Sequence, residues 1–258
     1  MLPGDLDDDV SMINILSKFA DDTKLGHVVV TEDDRKTVQS ALDNLCAWSA
    51  RWNMNFNTDK CKIMHLGRNN PGFKYTMNGT ELKVVDEEKD IGVMVHRSLK
   101  PTRQCSEAHK RAMNVLRQIS HAFHYRDKKV FLNLYTVYVR PHLEFSVSAW
   151  SPWTRADIDL LEKVQMKAIN MISGLEGQTY SEKLMELGIQ SLEERRVRFD
   201  MVETFKTVHG INKLDKHTFF EFVAKSQKIL CQSHYKNAVI YNQPTLWLPS
   251  VMYLFVRI

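Results

Sequence analysis

Cysteine is scarce in this chain of 258 residues. The four that occur, Cys46, Cys61, Cys105 and Cys231, are separated by 15, 44 and 126 positions. No two form a CxxC pair, and the gaps match no zinc-ligand spacing. The thiols are read as reduced, in an intracellular protein of the cytoplasm or nucleus. The opening "MLPGDLDDDV" has no basic segment followed by an apolar run, so it does not read as a targeting peptide. Long hydrophobic runs are missing too. The apolar "LWLPSVMYLFVRI" at 246–258 has 13 residues with a proline inside it, where a membrane span takes about 20. No internal repeat or low-complexity tract occurs. Strong charge of one sign is also absent: 35 basic residues stand against 31 acidic ones, for a net charge of +4. That mildly basic balance permits a nucleic-acid partner without demanding one.

What is present is ordinary globular material, 43% hydrophobic and 26% charged, enough to build a sizeable core. Residues 11–30 read as two short strands around a polar "DDTK" connection. From 33 to 52 the pattern turns helical, with Val38, Leu42, Leu45, Trp48 and Trp52 recurring at three and four residues behind an acidic, capped "TEDD" start. "MNFNTDKCKIMHLG" looks like a turn feeding a strand. "FKYTMNGTELKVV" is a hairpin signal, with Asn78-Gly79 at its turn. "KDIGVMV" reads as a further strand.

After about residue 98 the strand signals stop. One helix is expected over 103–124, with Ala108, Ala112, Val115, Ile119 and Phe123 on one face. A second is expected over 128–139, stopping before Pro141. A third spans 156–172, with Gly174 ending it, and two more lie near 181–187 and 191–209. The expected class is α+β: residues 1–97 mix strands with one helix, 98–212 are all-α, and 213–258 carry no clear period.

Several residues invite chemistry. At a hairpin tip, the adjacent Asp21 and Asp22 can reach one cavity and hold a hard divalent cation such as magnesium, which wants few carboxylates plus substrate phosphates. A polar turn accounts for the same pair without any metal. Lys60, at the start of a strand, can serve as a general acid toward a leaving pyrophosphate, or be a solvated edge lysine. The segment 98–130 is rich in cations. Lys100, Arg103, Lys110, Arg111 and Arg117 are the candidates for holding phosphates by charge without reading sequence. A solvated helix face explains them as well. Tyr135, Tyr138, Trp150 and Trp153 can stack on bases or fill a core. "EERRVR" at 193–198 reads as a solvated helix with internal ion pairs.

Taken in order, "FADDTKLG", "LDNLCAWSARWNMNFNTDKCKIMHLGR", "KDIGVMV", "LYTVYVRPHLEFSVSAWSP", "LLEKVQMKAINMISGL" and "LEERRVRFD" resemble the reverse transcriptase of non-LTR retrotransposons. The likeness is to jockey-like and chicken-repeat-like long interspersed elements, over about residues 4–214. It implies a partial palm, made of β-hairpins and one helix, followed by an all-α thumb. It implies an RNA-directed DNA polymerase, a nucleotidyltransferase with a two-metal magnesium site. Asp21 is implied as direct metal ligand, Asp22 as supporting carboxylate, and Lys60 as the group assisting pyrophosphate departure. The Asn78-Gly79 hairpin and "KDIGVMV" look like the primer-grip region. The implied partners are an RNA template, an RNA–DNA or DNA duplex and a dNTP, with no membrane. In that family the fingers and the first palm aspartate precede "FADD", whereas 18 residues precede Phe19 here. The isolated chain is therefore expected to be inactive as a polymerase. The alternative is a non-catalytic nucleic-acid-binding module that grips duplex backbone.

Overall fold

The computed structural model describes residues 10–19, 22–67, 70–222, 239–241 and 251–257. The architecture is α+β. The chain divides into two compact units, one of Met1–Lys100 with Pro244–Ile258, the other of Pro101–Gln243.

The first unit is built on a five-stranded sheet. Strands β1 (Ile15–Phe19) and β2 (Asp22–Val28) form an antiparallel hairpin, running from Ile15↔Gly26 to Phe19↔Asp22. Helix α1 (Glu32–Trp52) follows, then β3 (Lys62–Leu66). The α1 N-terminus is a capping box. The Asp34 amide donates to Thr31 Oγ1 at 3.2 Å, and Asp34 Oδ2 accepts from the Thr31 amide at 2.8 Å. Two amides that the helix leaves orphaned are thereby satisfied. The apolar stripe comes out nearly as its period predicts. Val38, Ala41, Leu42, Leu45 and Trp48 are buried, in one cluster with Leu25, Val29, Ile63, Tyr75 and Met77. Trp52, expected on that stripe, is 46% exposed; it sits in the last turn, just before the left-handed Asn53 cap, beyond the sheet the stripe covers.

The sheet order is β1-β2-β11-β3-β6, where β6 is Lys83–Val84 and β11 is Val251–Arg257. Strand β11 is antiparallel to both neighbours, pairing Leu254 with Leu25 on one side and with Ile63 on the other. Strands β2 and β3 therefore run parallel, joined by α1, with a one-strand gap that the last strand of the chain fills. Within the 213–258 tail, Val251–Arg257 pairs into the sheet of the first unit.

Two small hairpins complete this unit. Strands β4 (Thr76–Met77) and β5 (Thr80–Glu81) turn at Asn78 (φ 50°) and Gly79 (φ 76°), the left-handed pair that a type I′ turn requires. "KDIGVMV", expected as one strand, is instead the middle of a hairpin. Strands β7 (Glu87–Asp90) and β8 (Val93–His96) pair from Glu87↔His96 to Asp90↔Val93. The turn is Ile91 (φ 43°) and Gly92 (φ 88°). Val95 of β8 packs with Met64, Leu66 and Val28, so the sheet face opposite α1 also holds an apolar cluster, and Ile63 and Met64 are both fully buried.

The second unit is helical: α2 (Thr102–Ala122), α3 (Lys128–Leu134), a π-helical turn (Tyr135–Val139), α4 (Arg140–Glu144), α5 (Arg155–Ile169), α6 (Tyr180–Leu187), α7 (Leu192–Val208) and the short α8 (Lys216–Phe219). Strands β9 (Phe220–Phe222) and β10 (Val239–Tyr241) pair antiparallel. The α2 stripe is Cys105, Ala108, Ala112, Leu116 and Ile119. Leu116 takes the place expected of Val115, and Phe123 falls beyond the helix and is exposed. The expected stop before Pro141 does not occur. Helical backbone continues from 128 to 144 because the π turn opens the ladder, the Arg140 amide donating to the Tyr135 carbonyl five residues back. A widened turn removes both the amide demand and the ring clash that exclude proline from a regular helix.

Polar groups tie these helices together. The Tyr135 hydroxyl donates to Gln165 Oε1 at 2.6 Å, and Gln165 Nε2 donates to the Tyr180 hydroxyl at 2.9 Å and to the Gln190 carbonyl at 3.1 Å. Burial pushes the Tyr135 phenol well above its usual range, so it stays a donor. The "EERRVR" segment is not the internally paired solvated face expected. Arg195 forks onto Glu144, Arg155 reaches Glu193 at 3.1 Å, and Arg196 is 4% exposed. The reason is periodic: Arg196 lies one turn from the fully buried Leu192.

Candidate functional site

The hairpin tip lies between the paired Phe19 and Asp22. Asp21 falls outside the described residues. Asp22 opens β2 and is half-buried. Alternation along the strand places Asp22 and Lys24 on the same face, opposite Leu25 and the α1 core.

That face carries a feature the sequence reading missed. Lys24 pairs with Asp90, and Lys62 Nζ lies 2.7 Å from Glu88 Oε2. Lys24 and Lys62 both stand opposite position 255 of β11, so they share one rung of the sheet with a strand between them. Glu88 and Asp90 are alternate residues of β7, and one edge of the β7–β8 hairpin answers both lysines. The Glu88 side chain is only 8% exposed. Removing one member of such a pair strands a charge away from water, which costs more than losing a surface ion pair. A lysine in each of β2 and β3, and acids at alternate positions of β7, were the available signal. No local period connects residues that far apart in the chain.

Lys60 is exposed and sits in the turn before β3, its amide donating to the Asn57 carbonyl at 3.0 Å. Because β2 and β3 are parallel and Lys24 and Lys62 share a rung, Asp22 and Lys60, each two residues earlier, come to the same end of the sheet. Two strand spacings separate those strands, roughly 10 Å. Among the described residues no three His, Cys, Asp or Glu side chains converge as a metal site. Asp22 alone offers magnesium a single carboxylate, the remaining positions falling to water or phosphate oxygens.

Of the five candidate cations for phosphate, four lie on α2, and Lys100 is an exposed residue that ends the first unit. Arg103, Lys110 and Arg117 recur every seven residues and so run nearly straight along the helix, with Arg111 about 80° round from Arg103. Glu107 sits in that row. It lies 3.4 Å from Arg103 and 3.5 Å from Lys110, an acid shared by two bases. Arg117 donates to Asn114 Oδ1 at 3.2 Å. The row keeps a net positive charge with its side chains exposed or half-buried, suited to backbone contact and not to base readout.

The four aromatics separate. Tyr135 and Trp150 are core, with the Trp150 indole N–H donating to the Phe145 carbonyl at 2.8 Å. Tyr138 and Trp153 are exposed. No helix among the described residues is long and apolar enough to cross a membrane. Comparisons with protein-family models, with curated proteins and with solved structures give no match for this chain.

Proposed function

We propose that this chain is the palm-and-thumb part of a reverse transcriptase of the non-LTR retrotransposon kind. One observation carries the reading. The β2–α1–β3 arrangement brings Asp22 and Lys60 to the same end of one sheet, which is where a metal-binding carboxylate and a proton donor for pyrophosphate would both be wanted. The helical unit adds a cationic row on α2 for the backbone of an RNA–DNA or DNA duplex. In this reading Asp21 and Asp22 hold magnesium, and Lys100 is a further contact to nucleic acid.

Two-metal phosphoryl transfer needs more carboxylates than the pair at 21 and 22. The 258-residue chain tested by itself is therefore expected to bind an RNA–DNA hybrid and not to extend its primer. The check is primer extension on an RNA template with magnesium and dNTPs. Incorporation that disappears in Asp21→Ala would overturn the expected inactivity.

A second reading, a non-catalytic module gripping duplex backbone, draws on the same α2 row. Manganese binding followed by electron paramagnetic resonance separates the two. The palm reading expects a bound ion that is lost when Asp21 and Asp22 are both changed to Ala. The module reading expects none to begin with.

A further inference from the structure

We infer that residues 123–125, where α2 ends, form a stacking platform for an unpaired base at the end of a nucleic-acid duplex. The inference rests on the reading of α2 as a backbone-gripping helix and adds a second kind of contact to it.

Five successive residues, 121–125, are exposed, and they include His121, Phe123, His124 and Tyr125. Phe123 is 43% exposed and Tyr125 74%. Ring surface in water is costly, and here it is held in place. The Phe123 amide donates to the Ile119 carbonyl at 2.9 Å, and the chain then leaves the helix with extended dihedrals (φ −117°, ψ 107°). Three residues on, the Arg126 carbonyl accepts from the Ser173 amide at 3.0 Å, and Asp127 caps α3 by accepting from the Lys129 and Val130 amides. The aromatic stretch is thus pinned at both ends while its side chains remain exposed.

Charge selects the occupant. Arg117 precedes the stretch on the cationic row, and Arg126 and Lys129 follow it. Among the described residues, neither Arg126 nor Lys129 has a carboxylate partner. Of the acids beside it, Asp127 is spent on capping and Glu186 on an ion pair with Lys128. Rings flanked by cations are what a single-stranded segment asks for, with charge for its phosphates and a flat apolar surface for its bases. Trp153 is exposed as well, but Arg155, two residues on in the chain, is engaged by Asp159 and Glu193.

The test uses the full chain and two RNA–DNA hybrids, one blunt and one with a short overhang carrying 2-aminopurine as its first unpaired base. Tighter binding of the overhang, on the order of tenfold, with quenching of 2-aminopurine, is the expected result. Tyr125→Ala, at a position too exposed to disturb the core, should abolish both effects and leave the salt dependence unchanged. Phe123→Ala should reduce them. Equal, salt-dependent affinity for the two hybrids would overturn the platform and leave the backbone-gripping helix standing. No salt-dependent binding to either hybrid would overturn the helix reading and the platform with it.

Discussion

The two units are completed in opposite ways. The helical unit is one continuous stretch, Pro101–Gln243, whereas the sheet unit takes its third strand from Val251–Arg257 at the far end of the chain. The helical core comes from periods readable within single helices. The sheet core depends on a strand that must close a gap between β2 and β3 after everything between has been made. Non-local pairing of this kind pays a large loop entropy before any contact rewards it. Stability in the first unit should therefore hinge on a few backbone bonds at 251–257, and stability in the second should be spread over its helix contacts.

The largest expected effect breaks that contrast directly. Leu254→Pro removes a ladder donor in a strand paired on both sides and opens two sheet edges. It should cost about 3 kcal/mol or more, and the amides of Leu25 and Met64 should lose hydrogen-exchange protection. Amides of α2 and α5 should keep theirs.

Matched cavities come next. Leu42 in α1 and Leu161 in α5 are both fully buried. Truncation to Ala should cost about 3 kcal/mol at either site. The loss should appear only in the unit that carries the substitution, read as a shift of one thermal transition.

A smaller change should stabilise. Ile91 is a β-branched residue in the left-handed region, and it is 53% exposed, so little packing depends on it. Asn tolerates that conformation, and Asn-Gly favours a type I′ turn. Ile91→Asn should add about 0.5–1 kcal/mol to the first unit in urea titration.

The mildest effect is a pH slope confined to the sheet unit. Burial lowers the His65 imidazole below its ordinary value, Arg97 pushes the same way, and Asn70 opposes them. Burial likewise lowers His27, against the pull of Asp34. The unfolded chain then binds protons more readily than the folded one. Stability is full above the ordinary histidine value of about 6.5 and falls as pH drops toward the lowered values. His65→Gln should flatten the fall between pH 7.5 and 5.

The same contrast explains what was legible beforehand. Helix α1 announced itself because its period, its capping box and its buried face agree. The Asn78-Gly79 hairpin carried its turn in two residues. The β7–β8 hairpin was missed because Ile91 is not a turn former, leaving Gly92 as the lone signal. Pro141 misled because the π turn that accommodates it depends on where Tyr135 is held. The tail strand showed no alternation, and its partners lie far away in sequence. At the candidate site, Asp22 and Lys60 were legible as residue types, but their common end of the sheet follows from the parallel register. Glu88 and Asp90 became visible only once β7 was placed against Lys24 and Lys62.

The central claim is that α2 grips a duplex by its backbone. It is tested most directly by the salt dependence of RNA–DNA hybrid binding, for the native chain and for a variant with Arg103, Lys110, Arg111 and Arg117 each changed to Glu. The native chain should show log affinity falling against log salt with a slope of roughly −3, and the variant should lose most of both affinity and slope. Equal affinity and slope in the two proteins would contradict the account.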